Sequence, residues 1–325
     1  MDLKEFQTKE EAINAVDRLK KISFPIYQDG EDVEAFIQKI SKIITTEFGF
    51  IFTPITPFKT KDFLSCFYRA RELDLFTNIN LIREHSYPPI DNTKKGRCNF
   101  PKYPVFYCSD NPLTAVLEIA RESENLEKKY CVSKWELNKS NDTMMFENFL
   151  QTDLPEQNQY SAIRDGLKLK ISTPFKISFN KELEKTQEDG IIEHLKFLNS
   201  TFLNDNNYSL SATLAHRSLY ANHNYRTDAL MYPSVQTQRK GVNLAIQPNF
   251  VENCLKMTRL YILKLDNYNS AKDTVEITIS EYATVEKNVI MWKKIKPNDE
   301  NYIRMINDDF GEMINGSITE NKNIL

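Results

Sequence analysis

The sequence predicts an α+β fold with a mixed or antiparallel central sheet and an N-terminal helical unit. Three observations carry this. Apolar residues recur at helical spacing near the N-terminus and again around residues 191–220. Short β-type runs dominate from residue 63 onward, separated by Pro, Gly and Asn signals. The eight glycines stand too far apart for a Gly-x-Gly turn or a Walker loop, so neither a Rossmann fingerprint nor a P-loop fits the chain.

Taken in order, Thr8-Lys9-Glu10-Glu11 is a capping-box pattern that opens a helix to about Lys21. A second helix is expected over Glu31–Phe48, with Val33, Phe36, Ile37, Ile40, Ile43 and Ile44 on one face. Pro54 and Pro57 then mark a linker. Phe63–Arg69 reads as a strand, Leu81–Phe100 as a loop with Pro88-Pro89 and Gly96, and Val105–Cys108 as a strand. Asn111-Pro112 starts a helix, since Asn caps well and Pro fits the first turn; its end is expected near Glu122. Tyr130–Leu137 is a further strand, and residues 138–159 are polar and weakly patterned. Helices are expected over Ile191–Asn204 and Ser209–Tyr220. Strands are expected over Asp228–Val235, Asn243–Ile246, Met257–Leu265, Thr274–Ile279 and Val289–Trp292. The Asn- and acid-rich stretch from Asp299 reads as partly loose.

A chain of 325 residues can bury a sizeable core. The expected division is a helical region 1–57, a main domain 58–295 with a helical insertion near 185–222, and a polar tail 296–325. A formal charge of -3 with scattered Lys and Arg gives no basic stripe, so no nucleic-acid partner is expected. No apolar run is long enough for a bilayer, and Met1-Asp2-Leu3-Lys4-Glu5 is too polar for a secretory signal. The five cysteines are odd in number and lack Cys-x-x-Cys spacing, which suits reduced thiols in a cytoplasmic protein. The four histidines are dispersed, and no metal site is expected.

The candidate chemistry lies between Tyr68 and Glu118. Arg69 follows a strand and Arg97 follows a glycine after a Pro-rich loop; each is a surface arginine by default, yet each is placed where a guanidinium can bind phosphate. Glu118 stands in the apolar run Ala115-Val116-Leu117-Glu118-Ile119-Ala120, either paired with Arg121 or aimed into a pocket. Tyr107 is a core aromatic or a ring on which a base stacks. Ser234, after Tyr232-Pro233, is a turn residue or a hydrogen-bonding group; no Gly-x-Ser-x-Gly elbow supports a hydrolase serine.

Six short motifs occur in a fixed order: Tyr68-Arg69, Pro88-Pro89, Gly96-Arg97-Cys98-Asn99, Pro104-Val105-Phe106-Tyr107, Leu117-Glu118 and Tyr232-Pro233-Ser234-Val235, followed by Gly241-Val242-Asn243-Leu244. This series resembles the RES-domain family, over roughly residues 63–250. The resemblance implies an ADP-ribosyltransferase-like fold and an activity that destroys NAD, in many members as the toxin of a toxin–antitoxin pair restrained by a helix-turn-helix antitoxin. It implies Glu118, Arg69, Tyr107 and Ser234 as catalytic residues and Arg69, Arg97, Tyr107 and Asn243 as NAD-binding residues. NAD would be the substrate, with no separate cofactor and with inorganic phosphate or water as acceptor. The interval between Glu118 and Ser234 is longer than in compact members, and Val235-Gln236 stands where an arginine is often seen. ADP-ribosyl transfer to a macromolecule and a catalytically silent nucleotide-binding module are the alternative readings, and a homo-oligomer is left open.

Overall fold

The computed structural model describes residues 6–120, 128–140, 142–170, 183–222, 226–269, 274–296, 298–311 and 322–324. In chain order the elements are α1 (Lys9–Leu19), α2 (Val33–Phe48), β1 (Thr56–Lys59), β2 (Cys66–Glu72), β3 (Phe106–Ser109), α3 (Pro112–Ala120), β4 (Lys129–Leu137) and β5 (Thr143–Asn148). There follow α4 (Ser161–Lys170), α5 (Lys185–Asn204), α6 (Leu210–Leu219), β6 (Ala229–Pro233), β7 (Val242–Ile246) and α7 (Pro248–Cys254). The remaining elements are β8 (Leu255–Asn269), β9 (Thr274–Glu286), β10 (Val289–Lys294), α8 (Glu300–Phe310) and β11 (Lys322–Ile324). The protein is thus a mixture of helices with parallel and antiparallel strand pairs, as its α+β patterning predicts. The chain forms two compact units, each assembled from three stretches: Met1–Thr56, Ile90–Pro104 and Met145–Pro233 in one, and Pro57–Pro89, Val105–Met144 and Ser234–Leu325 in the other. These units interleave along the chain, with breaks after Thr56, Pro89, Pro104, Met144 and Pro233.

The first unit is mainly helical. Thr8 and Glu11 form the reciprocal capping box that opens α1, the Thr8 amide donating to Glu11 Oε2 at 2.8 Å. Asp32 caps α2 by accepting from the Ala35 amide at 2.7 Å, and Gly49, at φ 80°, closes it in the left-handed conformation that a side chain would resist. Phe6, Leu183, Ile191 and Leu195 form a buried cluster, and β5 pairs with β6 in parallel through Phe146↔Ala229 and Asn148↔Met231. His194 on α5 is almost fully buried and stacks on Phe48 with ring centroids 3.9 Å apart. Neither ring nitrogen has a hydrogen-bond partner among the described residues, and burial pushes its pKa down to about 3.

The second unit is an antiparallel sheet in the order β7-β3-β2-β4-β8-β9-β10, with β11 also pairing β9. Alternate residues Tyr68, Ala70, Tyr130, Val132, Tyr261 and Leu263 line one face, against which α3 and α8 bury Leu113, Val116, Leu117, Met305, Ile306 and Phe310. In the middle of this layer the Asp309 carboxylate is wholly buried. It accepts from Lys134 Nζ at 2.6 Å, Tyr68 Oη at 3.1 Å and Arg259 Nη1 at 3.2 Å, and from the Tyr261 hydroxyl. Burial, with the charge of Asp309 next, raises the Tyr68 phenol above its usual range.

Three local expectations differ from the structure. The strand expected over Phe63–Arg69 runs instead over Cys66–Glu72, because its partner β4 continues to Lys129. The polar stretch 138–159 contains β5, whose parallel partner supplies what its pattern lacks. The stretch from Asp299 is not loose: Asp299 caps α8, and Tyr302, Met305, Ile306 and Phe310 form its buried stripe.

Two stability predictions follow from these buried groups. Replacing Asp309 by Ala leaves the Lys134 ammonium without its buried counter-charge and should lower unfolding free energy by about 3–5 kcal/mol in denaturant titration. For His194 the folded pKa lies below the unfolded one, so its neutral form supports folding above about pH 6.5 and that support is lost as pH falls toward 3. Relative to His194→Phe, the wild type should therefore lose about 2 kcal/mol between pH 7 and pH 5.

Candidate functional site

Glu118 sits on a helix that is mostly buried, with Ile119 beside it exposed. Asn111 starts α3 by accepting from the Thr114 amide at 2.7 Å, and Pro112 takes the first turn, where its missing N–H costs nothing. Leu113, Ala115, Val116, Leu117 and Ala120 are buried, whereas Glu118 is half-buried. The expected end of this helix near Glu122, and the pairing of Glu118 with Arg121, lie outside the described residues.

Two donors from distant sequence meet one oxygen of this carboxylate. Ser234 Oγ donates to Glu118 Oε1 at 2.6 Å, and Asn243 Nδ2 donates to the same oxygen at 2.7 Å. Ser234 and Asn243 are themselves buried. Ser234 opens a tight turn that returns to β7. Its amide donates to the Gly241 carbonyl at 2.9 Å, its Oγ accepts from the Thr237 amide at 3.2 Å, and Thr237 Oγ1 accepts from the Gly241 amide at 3.1 Å. Gln238 and Arg239 at its tip have φ of 53° and 67°. The turn rests on α3 at Thr114, one helical turn before Glu118. A Cβ on Gly241 would lie 2.3 Å from Thr114 Oγ1, so only glycine allows this approach.

A third buried hydroxyl joins from β3. Ser109 Oγ donates to Asn243 Oδ1 at 2.7 Å, and the two residues are register partners across β3 and β7. Tyr107, two residues earlier and half-buried, projects from the same face of β3 as Ser109. Neither Ser109 nor Thr114 stands out in the sequence. A serine in a strand and a threonine in a helix carry no local signal, and their partners lie far along the chain, Asn243 being 134 residues from Ser109 and Gly241 nearly as far from Thr114.

The two arginines are placed differently. Tyr68 pairs with Ser109, so Arg69 lies on the opposite face of β2, its guanidinium 5.5 Å from the centre of the Phe106 ring. Its Nη1 donates to the Tyr107 carbonyl at 2.8 Å, and its buried Nε has no partner among the described residues. Burial, helped by the charge of Arg71, pushes its pKa down to about 10, which leaves it cationic at neutral pH. Arg97 belongs to the other compact unit. It stands at the Gly96–Asn99 bridge, and its Nη1 donates to the carbonyls of Phe202 at 2.6 Å and Leu203 at 3.0 Å. These are orphan carbonyls of the last turn of α5, where a cation also complements the helix dipole. The structure thus brings Glu118, Ser234 and Asn243 together, sets Tyr107 on the strand beside them, and places Arg69 and Arg97 at backbone carbonyls.

All five cysteines are free thiols. Among the described residues no group of three or more His, Cys, Asp or Glu side chains could hold a metal ion, and no helix is long and apolar enough to cross a membrane. Neither a protein-family model nor a curated protein matches this chain.

The contact between Gly241 and Thr114 makes a specific prediction. Gly241→Ala should cost about 1–3 kcal/mol of stability through overpacking. Most of that loss should return in the double variant Gly241→Ala/Thr114→Ala, which removes the colliding Oγ1; additive losses in thermal or chemical unfolding would contradict the contact.

Proposed function

We propose that this protein cleaves the nicotinamide–ribose bond of NAD, with Glu118 as the group that stabilises the reacting sugar. The observation that carries the reading is the carboxylate held by Ser234 and Asn243 through Oε1 alone. Such an arrangement fixes the acid while leaving its second oxygen without a hydrogen bond among the described residues. In the reaction the C–N bond breaks with its electron pair going to the pyridine nitrogen, so nicotinamide leaves neutral and no general acid is needed. Positive charge develops on the ribose, and a fixed anion beside it lowers the barrier. Water or inorganic phosphate then bonds to the ribose carbon, water giving up a proton as it does so.

The remaining side chains have roles consistent with their chemistry. Tyr107 offers a half-buried ring for the nicotinamide end. Guanidinium groups suit a diphosphate, and each carries five N–H donors. Arg69 is cationic at neutral pH, and the two carbonyls on Arg97 occupy one of its terminal nitrogens. The order of the six motifs supports the same assignment through the RES-domain resemblance. A protein that depletes NAD needs restraint, for which that resemblance implies a helix-turn-helix antitoxin.

At an effective dielectric of 20, a charge pair 4 Å apart is worth about 4 kcal/mol, or roughly a thousandfold in rate. Glu118→Gln should therefore lower kcat about a thousandfold with NAD affinity largely kept. The assay is product analysis of purified protein on NAD, with and without phosphate. Free ADP-ribose or its phosphate ester from the wild type supports the reading; intact NAD despite measurable binding would instead make this a nucleotide-binding module. Transfer of ADP-ribose that requires an added macromolecule would make it a transferase.

A further inference from the structure

We propose that Ser109 is a positioning residue for the Glu118 carboxylate, acting through the Asn243 amide; as a statement about activity, this rests on the NAD-cleavage reading. The three side chains form a directed chain of hydrogen bonds. Ser109 Oγ donates to Asn243 Oδ1 at 2.7 Å, and Asn243 Nδ2 donates to Glu118 Oε1 at 2.7 Å. Chemistry fixes the direction of each link. An ionised carboxylate only accepts, so Asn243 must present its NH2 group to Glu118 and turn its carbonyl oxygen the other way. That oxygen then requires a donor, and the Ser109 hydroxyl supplies it.

Strand register makes the arrangement rigid. Ser109 and Asn243 are paired residues of antiparallel β3 and β7, so their side chains emerge side by side on one face. Ser109 is 2 % exposed and Asn243 4 %, which leaves bulk water poorly placed to replace a missing partner. Without the serine hydroxyl, Asn243 Oδ1 is a buried acceptor with nothing to accept from. The amide is then no longer held in one of its two flipped orientations, and the reverse orientation sets its oxygen against the carboxylate oxygen. Glu118 would keep only Ser234 as a dependable donor. Donation to Oδ1 also polarises the amide and strengthens the Nδ2–H bond to Glu118.

The test combines kinetics with a substrate-free measurement. Ser109→Ala should lower kcat on NAD about tenfold, the size of one buried hydrogen bond, with KM changed less than about twofold. Ser109→Thr, which keeps the hydroxyl, should restore most of kcat. In an Asn243→Ala background, Ser109→Ala should cause no further loss, because the residue through which it acts is gone. Without substrate, the Asn243 side-chain amide should give distinct, slowly exchanging proton resonances by NMR that broaden or shift in Ser109→Ala and recover in Ser109→Thr. If Ser109→Ala does not fold, Ser109→Cys, with a weak donor of similar size, carries the same measurements and should fall between alanine and wild type. Wild-type kcat together with an unchanged Asn243 amide signal in Ser109→Ala would overturn the proposal, as would full additivity with Asn243→Ala. A wild type inert toward NAD would remove the function proposed above, and the amide resonances would still decide whether Ser109 orients Asn243.

Discussion

A half-buried carboxylate on a largely apolar helix must have its charge met by donors, and that constraint organises the region around Glu118. The described residues of α3 supply none: Ala115, Leu117 and Ile119 have no side-chain donor, and Thr114 makes no hydrogen bond to it. They come from Ser234 and Asn243, 116 and 125 residues further along the chain. Bringing them there requires β7 to lie beside β3, and the turn from Ser234 to Gly241 to rest on Thr114. Sheet order, turn geometry and one glycine thus converge on a single oxygen atom. A further buried hydroxyl, Ser109, completes the set.

The same unit holds a wholly buried carboxylate with a different character. Asp309 receives two cations and two phenols and is closed to solvent on all sides. Its partners saturate it, which suits a structural lock between α8 and the sheet. Glu118 is half-buried and receives two neutral donors on one oxygen. The contrast separates an acid used up by the fold from one with capacity left for a ligand. The arginines divide in a similar way: Arg97 serves the end of a helix, and Arg69 retains a buried nitrogen without a partner among the described residues.

Much of the fold was legible where the signal is local. The capping box at Thr8, the apolar stripe of Val33–Phe48 and the Asn-Pro start at residue 111 each act within four residues, and each appears in the structure. Parallel pairing hid β5, since Thr143–Asn148 shows only a weak alternation and its partner lies more than 80 residues away. Acidic and amide residues on the outer face masked α8, although Tyr302, Met305, Ile306 and Phe310 already stood at helical spacing. α7 is announced only by Pro248 after a polar residue, and its seven residues are too few to show an apolar stripe. In the candidate site, Glu118, Ser234 and Asn243 were reachable from ordered motifs. Ser109 and Thr114 were not, because their roles exist only once strands and helix are side by side.

The interleaved segments have a consequence for how the protein is made. Lys134 leaves the ribosome long before its counter-ion Asp309, which follows 175 residues later. Until that aspartate emerges, an ammonium destined for the interior has only the largely exposed Glu136, 3.8 Å away in the fold, to meet it. Translation alone therefore delays closure of the sheet layer that carries α3, and the nascent chain should remain a client of chaperones until α8 is synthesised.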